Sequence, residues 1–471
     1  MIDSISLKTS LIDLAVSGQL STEFQAEDSV SEIIEKIPAL SKKRKKLLGQ
    51  IFEYGKLFDI PNNWRWLLLG EISSYGETPV KANTSDVTDN IWILDLEDIK
   101  AGGELLTKTR ANKKQFAGEK TVFKSGQVLY SKLRPYLKKI LVADEDGIST
   151  PELISFDVFG GILPQYIVYC LLDSFTNRAI EMRSYGIKMP RIDVGFMINL
   201  PVPIPPVSEQ QYIIEKLKKA FALIDEANNL QGEYASNQET LKSKLIDAAI
   251  QGKLTKQLPE DGTANDLIQL VNKERKNQEE KGMIKRVDSQ QLVADDEIPF
   301  EIPTNWEWVR FGDVSYIVRG GSPRPIKQYI TSDKNGINWI KIGDVEKGGK
   351  YIFETKEKII PEGEKKSRRV YPGDFLLTNS MSFGRPYISK IEGCIHDGWL
   401  LIHDLKGFDQ DYLYYLLSSR FLYNQFTQKA SGSTVDNLNI DKVSSAIIPL
   451  PPLAEQKRIA KKIEELLQYC K

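Results

Sequence analysis

The strongest constraint on this chain is an internal repeat that keeps its order along the whole length. Leu7-Lys8-Thr9-Ser10-Leu11-Ile12-Asp13 returns as Leu241-Lys242-Ser243-Lys244-Leu245-Ile246-Asp247, and Ile60-Pro61-Asn62-Asn63-Trp64 returns as Ile302-Pro303-Thr304-Asn305-Trp306. Glu97-Asp98-Ile99-Lys100-Ala101-Gly102-Gly103 parallels Gly343-Asp344-Val345-Glu346-Lys347-Gly348-Gly349, and Phe123 to Leu129 parallels Val370 to Leu376. Pro205-Pro206-Val207-Ser208-Glu209-Gln210 closes the series as Pro451-Pro452-Leu453-Ala454-Glu455-Gln456. The spacing between partners stays between 234 (Leu7 to Leu241) and 247 (Phe123 to Val370). Self-similarity on this scale is a tandem duplication, so the fold must be assembled from two like halves.

Between the halves lies Pro205 to Leu254, which has no internal proline after Pro206. Ile213, Leu217, Phe221, Ile224, Leu241, Leu245 and Ala248 recur at three- and four-residue steps and make one apolar face. Ser208 with Gln211 has capping-box spacing, Glu209 suits a helix N-terminus, and Gly252 suits a C-cap. The spacing predicts one helix of roughly 45 residues, about 65–70 Å long, which is the length of a spacer or coiled-coil arm. At the repeat offsets Lys471 corresponds to Asp225 and Met1 to Ala235, so the two chain ends are expected to rebuild a second, antiparallel copy of this helix. The expected fold is therefore α+β: two globular modules joined by two long antiparallel coiled-coil helices, a pseudo-twofold tandem repeat. The divisions are 1–20 (part of the distal helix), 21–59 (linker with a short helix), 60–205 (first module) and 206–254 (central helix). Then come 255–301 (linker with a short helix), 302–450 (second module) and 451–471 (rest of the distal helix). The linker charge runs, Lys42 to Lys46 and Lys273-Glu274-Arg275-Lys276, are read as solvated helix faces.

No apolar run reaches the ~18 residues of a membrane span, and Met1-Ile2-Asp3-Ser4-Ile5 lacks the basic and apolar regions of a signal peptide. Cys170, Cys394 and Cys470 are isolated, so neither a disulfide framework nor a zinc site is expected and the cytoplasm is the default. Net charge is −1, which does not advertise a nucleic-acid partner. Yet ten basic residues, Lys108 to Lys139, face the single acid Glu119 between Leu105 and Ala143. A local field of that kind matters more to a phosphate backbone than the total, although a solvated basic surface also accounts for it.

Catalytic motifs are sparse. Gly348-Gly349-Lys350 lacks the spacing of a phosphate loop. His396 and His403 have no cysteine at zinc distance and read as structural. Asp344, Glu354 and Lys356 form a loose carboxylate–lysine set, which leaves a stand-alone nuclease as one alternative and a protein–protein scaffold as another. Binding signals are denser. Lys132, Arg134 and Lys138 surround Tyr136 in the first module, with Lys188 and Arg191 at a later glycine turn. The second module carries Ser380, Ser382 and Arg385 at the equivalent loop, Ser433 and Thr434 at the equivalent turn, and the cationic loop Arg319-Gly320-Gly321-Ser322-Pro323-Arg324. Arg, Ser and Asn are residue types that contact base edges and phosphates. Different polar loops at matching places are expected of two readers built on one scaffold.

Duplicated modules that leave through Pro449-Leu450-Pro451-Pro452-Leu453-Ala454-Glu455-Gln456 into a long helix resemble the specificity subunits of type I restriction–modification enzymes. The Ile-Pro-x-x-Trp starts and Ser431-Gly432-Ser433-Thr434 fit the same pattern. The resemblance implies two target-recognition domains that bind double-stranded DNA at a bipartite, asymmetric site. It implies two adenine methyltransferase subunits, seated on the long helices, and restriction subunits as partners. S-adenosylmethionine, ATP and Mg²⁺ are then expected on those partners, with no cofactor, metal or catalytic residue in this chain. If both modules read one face of the duplex, roughly ten base pairs separate the half-site centres. Tyr185-Gly186-Ile187-Lys188-Met189 departs from the family's Gly-Ser/Thr turn.

Overall fold

A computed structural model of the protein describes residues 3–41, 44–45, 48, 58–82, 88–111, 119–287, 292–346, 348–379, 384–430 and 438–470. The chain divides into two compact units, Met1–Gly232 and Glu233–Lys471, and the helix Val207–Ile250 runs through the division. Its 44 residues extend about 66 Å at ~1.5 Å each. Gly252 caps it as expected: at φ 74°, its amide donates to Ala249 and that of Lys253 to Ala248, both at 3.0 Å. The capping box at Ser208 does not form, because the helix already begins at Val207. Asp28 receives the Ser208 amide at 3.2 Å, and the Ser208 hydroxyl as well. Gln211 instead donates to Glu215 at 2.8 Å.

In the first unit the helix Ser4–Val16 lies antiparallel to the start of the long helix. Lys8 meets Asp225 at 2.6 Å and Lys216 donates to the Leu20 carbonyl at 3.0 Å. Ile12, Ala15 and Val16 share a core with Ile213, Ile214 and Leu217. In the second unit the end of the long helix shares a core with the helix Leu453–Leu467, through Ala249 and Ile250 with Ile459 and Ile463. Each unit thus pairs one half of the long helix with one terminal helix.

Both modules open and close through a two-stranded antiparallel ribbon, Arg65–Leu68 with Pro201–Ile204 and Glu307–Arg310 with Ile447–Leu450. Beyond it the first module has a three-stranded antiparallel sheet centred on Val128–Ser131. It also has a five-stranded sheet in which Trp92–Leu94 runs parallel to Gly147–Ser149. The second module repeats this around Phe375–Thr378 and Ile337–Ile340, and the added strands Ser315–Arg319 and Tyr351–Ile352 widen its first sheet to five strands. Trp92 packs edge-on to Phe123 at 5.2 Å in the core of the first, and Trp399 to Tyr387 at 5.7 Å in the second.

The repeated motifs are structural joints. The apolar Pro of Ile-Pro-x-x-Trp lies on a glycine: a Cβ on Gly18 or Gly252 would stand 2.4 or 2.6 Å from Cγ of Pro61 or Pro303. Both glycines have positive φ, 80° and 74°, so only glycine satisfies the turn and the contact together. The Glu-Gln pair after Pro-Pro is buried in both copies. Gln210 donates to the Pro205 carbonyl and accepts from the Leu163 amide, both at 2.9 Å. Gln456 does the same with Pro451 at 3.0 Å and Asp409 at 2.8 Å.

The linker charge runs are not uniformly solvated. Arg44 donates to the carbonyls of Gly70, Ser73 and Tyr75 at 2.8, 2.5 and 3.0 Å. Arg275 does so to Gly312, Asp313 and Ser315 at 2.8, 3.1 and 3.2 Å. These carbonyls lie where a four-residue helix (Leu69–Ile72, Phe311–Val314) ends without a helical partner for them. One arginine fork replaces the missing donors, and each linker is thereby docked to its module.

Candidate nucleic-acid interface

In the first module the two loops singled out in the sequence, some fifty residues apart, meet in one place. Lys132 donates its amide to the Glu152 carbonyl at 3.0 Å, and its carbonyl receives the Ile192 amide at 3.1 Å. Arg134 donates to the Pro190 carbonyl at 2.7 Å. Tyr185 and Arg191 exchange both backbone hydrogen bonds at 2.9 Å, which closes a small hairpin over Gly186 to Pro190. Glu152 takes Arg191 at 2.9 Å and has Lys132 at 4.0 Å, and the Arg191 pKa is raised chiefly by that carboxylate. Arg134 and Lys138, both at φ 50°, bracket the turn Pro135–Leu137. Left-handed non-glycine residues carry strain of about 1–3 kcal/mol each and persist where surrounding bonds over-determine them, as the Pro190 contact does for Arg134. Arg134, Tyr136 and Lys188 are exposed, whereas Lys138 is half-buried and reaches the Leu172 carbonyl at 3.5 Å.

The basic stretch around these loops is less of a field than its count implies. Asp144, Glu145 and Asp146 begin one residue beyond it. Lys108 pairs with Asp144 at 2.9 Å, Arg110 with Glu145 at 2.8 Å and Lys124 with Asp146 at 2.8 Å. Lys120 is buried against Asp95 at 2.6 Å.

The second module repeats the junction with different side chains. Asn379 donates its amide to Gly398 at 3.0 Å and receives that of Leu438 at 2.9 Å, so Asn379 stands where Lys132 does. The acid beside it is Asp397, a hub that neither motif nor spacing signals; only the repeat offset places it beside the position of Glu152. Ser322 donates to its carboxylate at 2.8 Å and Arg324 reaches it at 3.4 Å. Arg319 and Asn379 donate to its carbonyl at 3.2 and 2.8 Å. Hydrogen bonding by Ser322 first, with His396 and Arg324 behind it, holds the Asp397 carboxyl below its usual range. Gly320 permits this approach, since a Cβ there would lie 2.1 Å from the His396 carbonyl oxygen. Ser322 and Arg324 line a shallow cleft of about 880 Å³ with Lys327, Trp339 and Lys341. Arg385 lines another, of about 830 Å³, with Arg420, Tyr387, Tyr414 and the Gly348–Gly349 turn. Arg319, Ser322 and Arg324 are thus brought together, and Arg385 stands apart from them. Ser380, Ser382, Ser433 and Thr434 lie outside the described residues.

Asp344 and Lys356 of the carboxylate–lysine set have structural roles, and Glu354 is exposed. Asp344 accepts the Lys341 amide at 2.8 Å, as Asp98 accepts that of Asp95 at 2.8 Å in the other module, and Lys356 donates to the Gly343 carbonyl at 3.0 Å. Among the described residues no group of three His, Cys, Asp or Glu is placed to hold a metal ion. Both ring nitrogens of His396 face backbone amides, at 2.7 and 3.1 Å, and burial lowers its pKa; His403 bonds Asp374 at 2.8 Å. Among the described residues no helix is long and apolar enough to cross a membrane.

Residues 303–470 match the family described as type I restriction modification DNA specificity domain. The EcoEI and EcoAI type I restriction enzyme specificity subunits of Escherichia coli are 24% and 23% identical to this chain. Each alignment spans 98% of this chain and 89% of the relative. The second module thus matches the type I specificity domain, and the chain as a whole is similar to type I specificity subunits. The fold agrees: a chain solved in work on assembly and conformational transition of the type I R-M system superposes with a TM-score of 0.61 at 20% identity, over 88% of this chain and 92% of that one. The HsdS subunit from Thermoanaerobacter tengcongensis gives 0.52 at 20% identity, over 88% and 91%. The two polar junctions of this chain, one per module, share backbone bonds and differ in their side chains.

Proposed function

We propose that this chain is a type I specificity subunit that reads a bipartite, asymmetric sequence in double-stranded DNA, one half-site per module, and directs adenine methylation and restriction by its partner subunits. The observation that carries the reading is the paired junction. Backbone bonds at Lys132 and Ile192 recur at Asn379 and Leu438, while the side chains presented there differ, cationic in one module and amide-bearing in the other. A common frame with divergent polar loops is what reading two unlike half-sites requires. Arg134, Tyr136 and Lys188 in the first module, and Arg319, Ser322, Arg324 and Arg385 in the second, are the contacts we assign to it. Lys132, Lys138 and Arg191 frame the loops and reach phosphates from their edges. Ser380, Ser382, Ser433 and Thr434 belong to the same loops by repeat position.

Two methyltransferase subunits using S-adenosylmethionine, and restriction subunits using ATP and Mg²⁺, supply the chemistry in this reading, and the complex works in the cytoplasm. The test is duplex binding by the chain reconstituted with its methyltransferase subunits. Arg385→Ala is expected to cost about 1–3 kcal/mol and to relax specificity in one half-site only, as for a base-reading arginine. Equal weakening on every sequence would make Arg385 a phosphate contact. No salt-sensitive binding by the wild-type complex would overturn the reading.

A further inference from the structure

Among the described residues of the first module, the hairpin that departs from the family's polar turn is the most apolar exposed element. Met182, Tyr185, Ile187 and Met189 are all exposed within eight residues, and Ile187 at the tip is fully so. An isolated exposed apolar side chain needs no explanation, but a cluster of this density does. The base of the hairpin is also fastened. Tyr185 and Arg191 close its base by two 2.9 Å backbone bonds, and Arg134 fastens Pro190 at 2.7 Å. Arg191 is clamped to Glu152 at 2.9 Å. Gly186, at φ 98°, makes the turn that aims the tip outward.

We infer that this hairpin enters the DNA groove and that Ile187 reads the half-site of the first module by packing against a thymine C5-methyl group. The inference rests on the DNA-reading function proposed above. Charge decides for DNA as the occupant. The tip is flanked by Lys188 and by Arg134, both exposed, and the neighbouring acid Glu152 is taken up by Arg191; the exposed acids nearest in sequence, six residues either side of Ile187, are Glu181 on the preceding helix and Asp193, which caps the next helix through the Phe196 amide at 3.1 Å. An apolar tip between cations suits a polyanion that displays an apolar group. The thymine methyl is the apolar group that base edges present in the major groove. Because the proposed methylation falls on adenine, each half-site holds at least one A·T pair and hence a thymine. A saturated side chain cannot read hydrogen-bonding edges, which explains why this turn parts from the Ser/Thr form of the family pattern.

The experiment uses the chain assembled with its methyltransferase subunits and duplexes carrying its site, with deoxyuridine replacing each thymine in turn. Wild type should lose about fourfold in affinity at one thymine of one half-site, the equivalent of roughly 0.8 kcal/mol per buried methyl. Ile187→Ser should lose at least as much on the unmodified duplex and show no further loss with deoxyuridine there. Lys188→Ala should keep the deoxyuridine effect and lower the salt slope by about one unit. Ile187→Ser retaining the full deoxyuridine effect would overturn the inference. So would lower recovery of methyltransferase subunits with unchanged DNA affinity, which would make the tip a protein-docking surface. A wild-type complex that does not bind the site at all would instead remove the proposed function, and the inference with it.

Discussion

Glu455 offers the sharpest test of how the repeated motif works. Its carboxylate is 0% exposed and receives four donors. Oε1 accepts from Thr255 at 3.0 Å and Gln257 at 2.9 Å; Oε2 accepts from Trp306 Nε1 at 2.8 Å and Asn305 at 3.4 Å. In Glu455→Gln one oxygen keeps two donors, while the new amide nitrogen faces the other two with hydrogens of its own. Hydrogen bonds to charged groups contribute about 1.5–3 kcal/mol each. The nitrogen takes the Oε1 side, where the Thr255 hydroxyl can turn to accept, so the Gln257 bond is lost and the two on the remaining oxygen weaken to neutral strength, together costing about 3–4 kcal/mol. Among the described residues its counterpart Glu209 has only Ser21 at 2.6 Å and Asn63 at 3.0 Å, one per oxygen, and Trp64 Nε1 has no hydrogen-bond partner. Glu209→Gln loses one bond, and the Ser21 hydroxyl can turn to accept, so about 1.5 kcal/mol is expected. At about 2–4 °C per kcal/mol for units of this size, calorimetry should show Glu455→Gln melting roughly 6–16 °C early and Glu209→Gln roughly 3–6 °C. Hydrogen exchange should localise the change to residues 302–310 in one variant and 60–68 in the other. Equal costs for the two variants, or a Glu455→Gln effect under about 1 kcal/mol, would refute the reasoning.

Arg275→Ala should destabilise the second unit by about 2–4 kcal/mol, since three carbonyls lose a charged donor, and Arg44→Ala should do the same to the first. Urea unfolding of each variant checks this, and Lys at either position should recover only part because it lacks the planar fork. Burial pushes the Asp404 carboxyl from 3.8 up to about 6. The folded chain therefore holds an extra proton between those values, and this contribution to stability falls as pH rises through them. Asp404→Asn keeps an oxygen for the Gly407 amide, now at 2.9 Å. It should match wild type near pH 4 and exceed it at pH 7, by up to about 3 kcal/mol at ~1.36 kcal/mol per pKa unit. Denaturation midpoints at the two pH values that differ equally from wild type would contradict this.

The repeat and the long helix were legible because both are periodic: order and spacing survive in sequence even where identity does not. What the repeated residues do was less legible. Glu209 reads as helix-start chemistry, whereas its partners and that of Gln210 come from residues as distant as Ser21, Asn63 and Leu163, which local spacing cannot reveal. Arg44 and Arg275 sit in charged runs beside exposed lysines, Lys45 in one and Lys273 and Lys276 in the other, and the arginine that folds inward carries no sequence mark. The basic stretch misled because its neutralising acids start just past Ala143 and pair across strands. Glu152 and Asp397, which organise the candidate loops, are ordinary acids until the sheets bring those loops together. The Ile187 tip was read as a glycine turn with a cation, since exposure is a property of the folded hairpin alone.

The central claim, two modules reading two halves of one site, is tested most directly by mapping methyladenine across the genome of cells that carry this chain with its methyltransferase subunits. The account predicts a single bipartite motif, two unlike half-sites separated by a fixed spacer of unspecified bases, with one methylated adenine in each half. A contiguous motif without a spacer, or no methylation that depends on the chain, would contradict it.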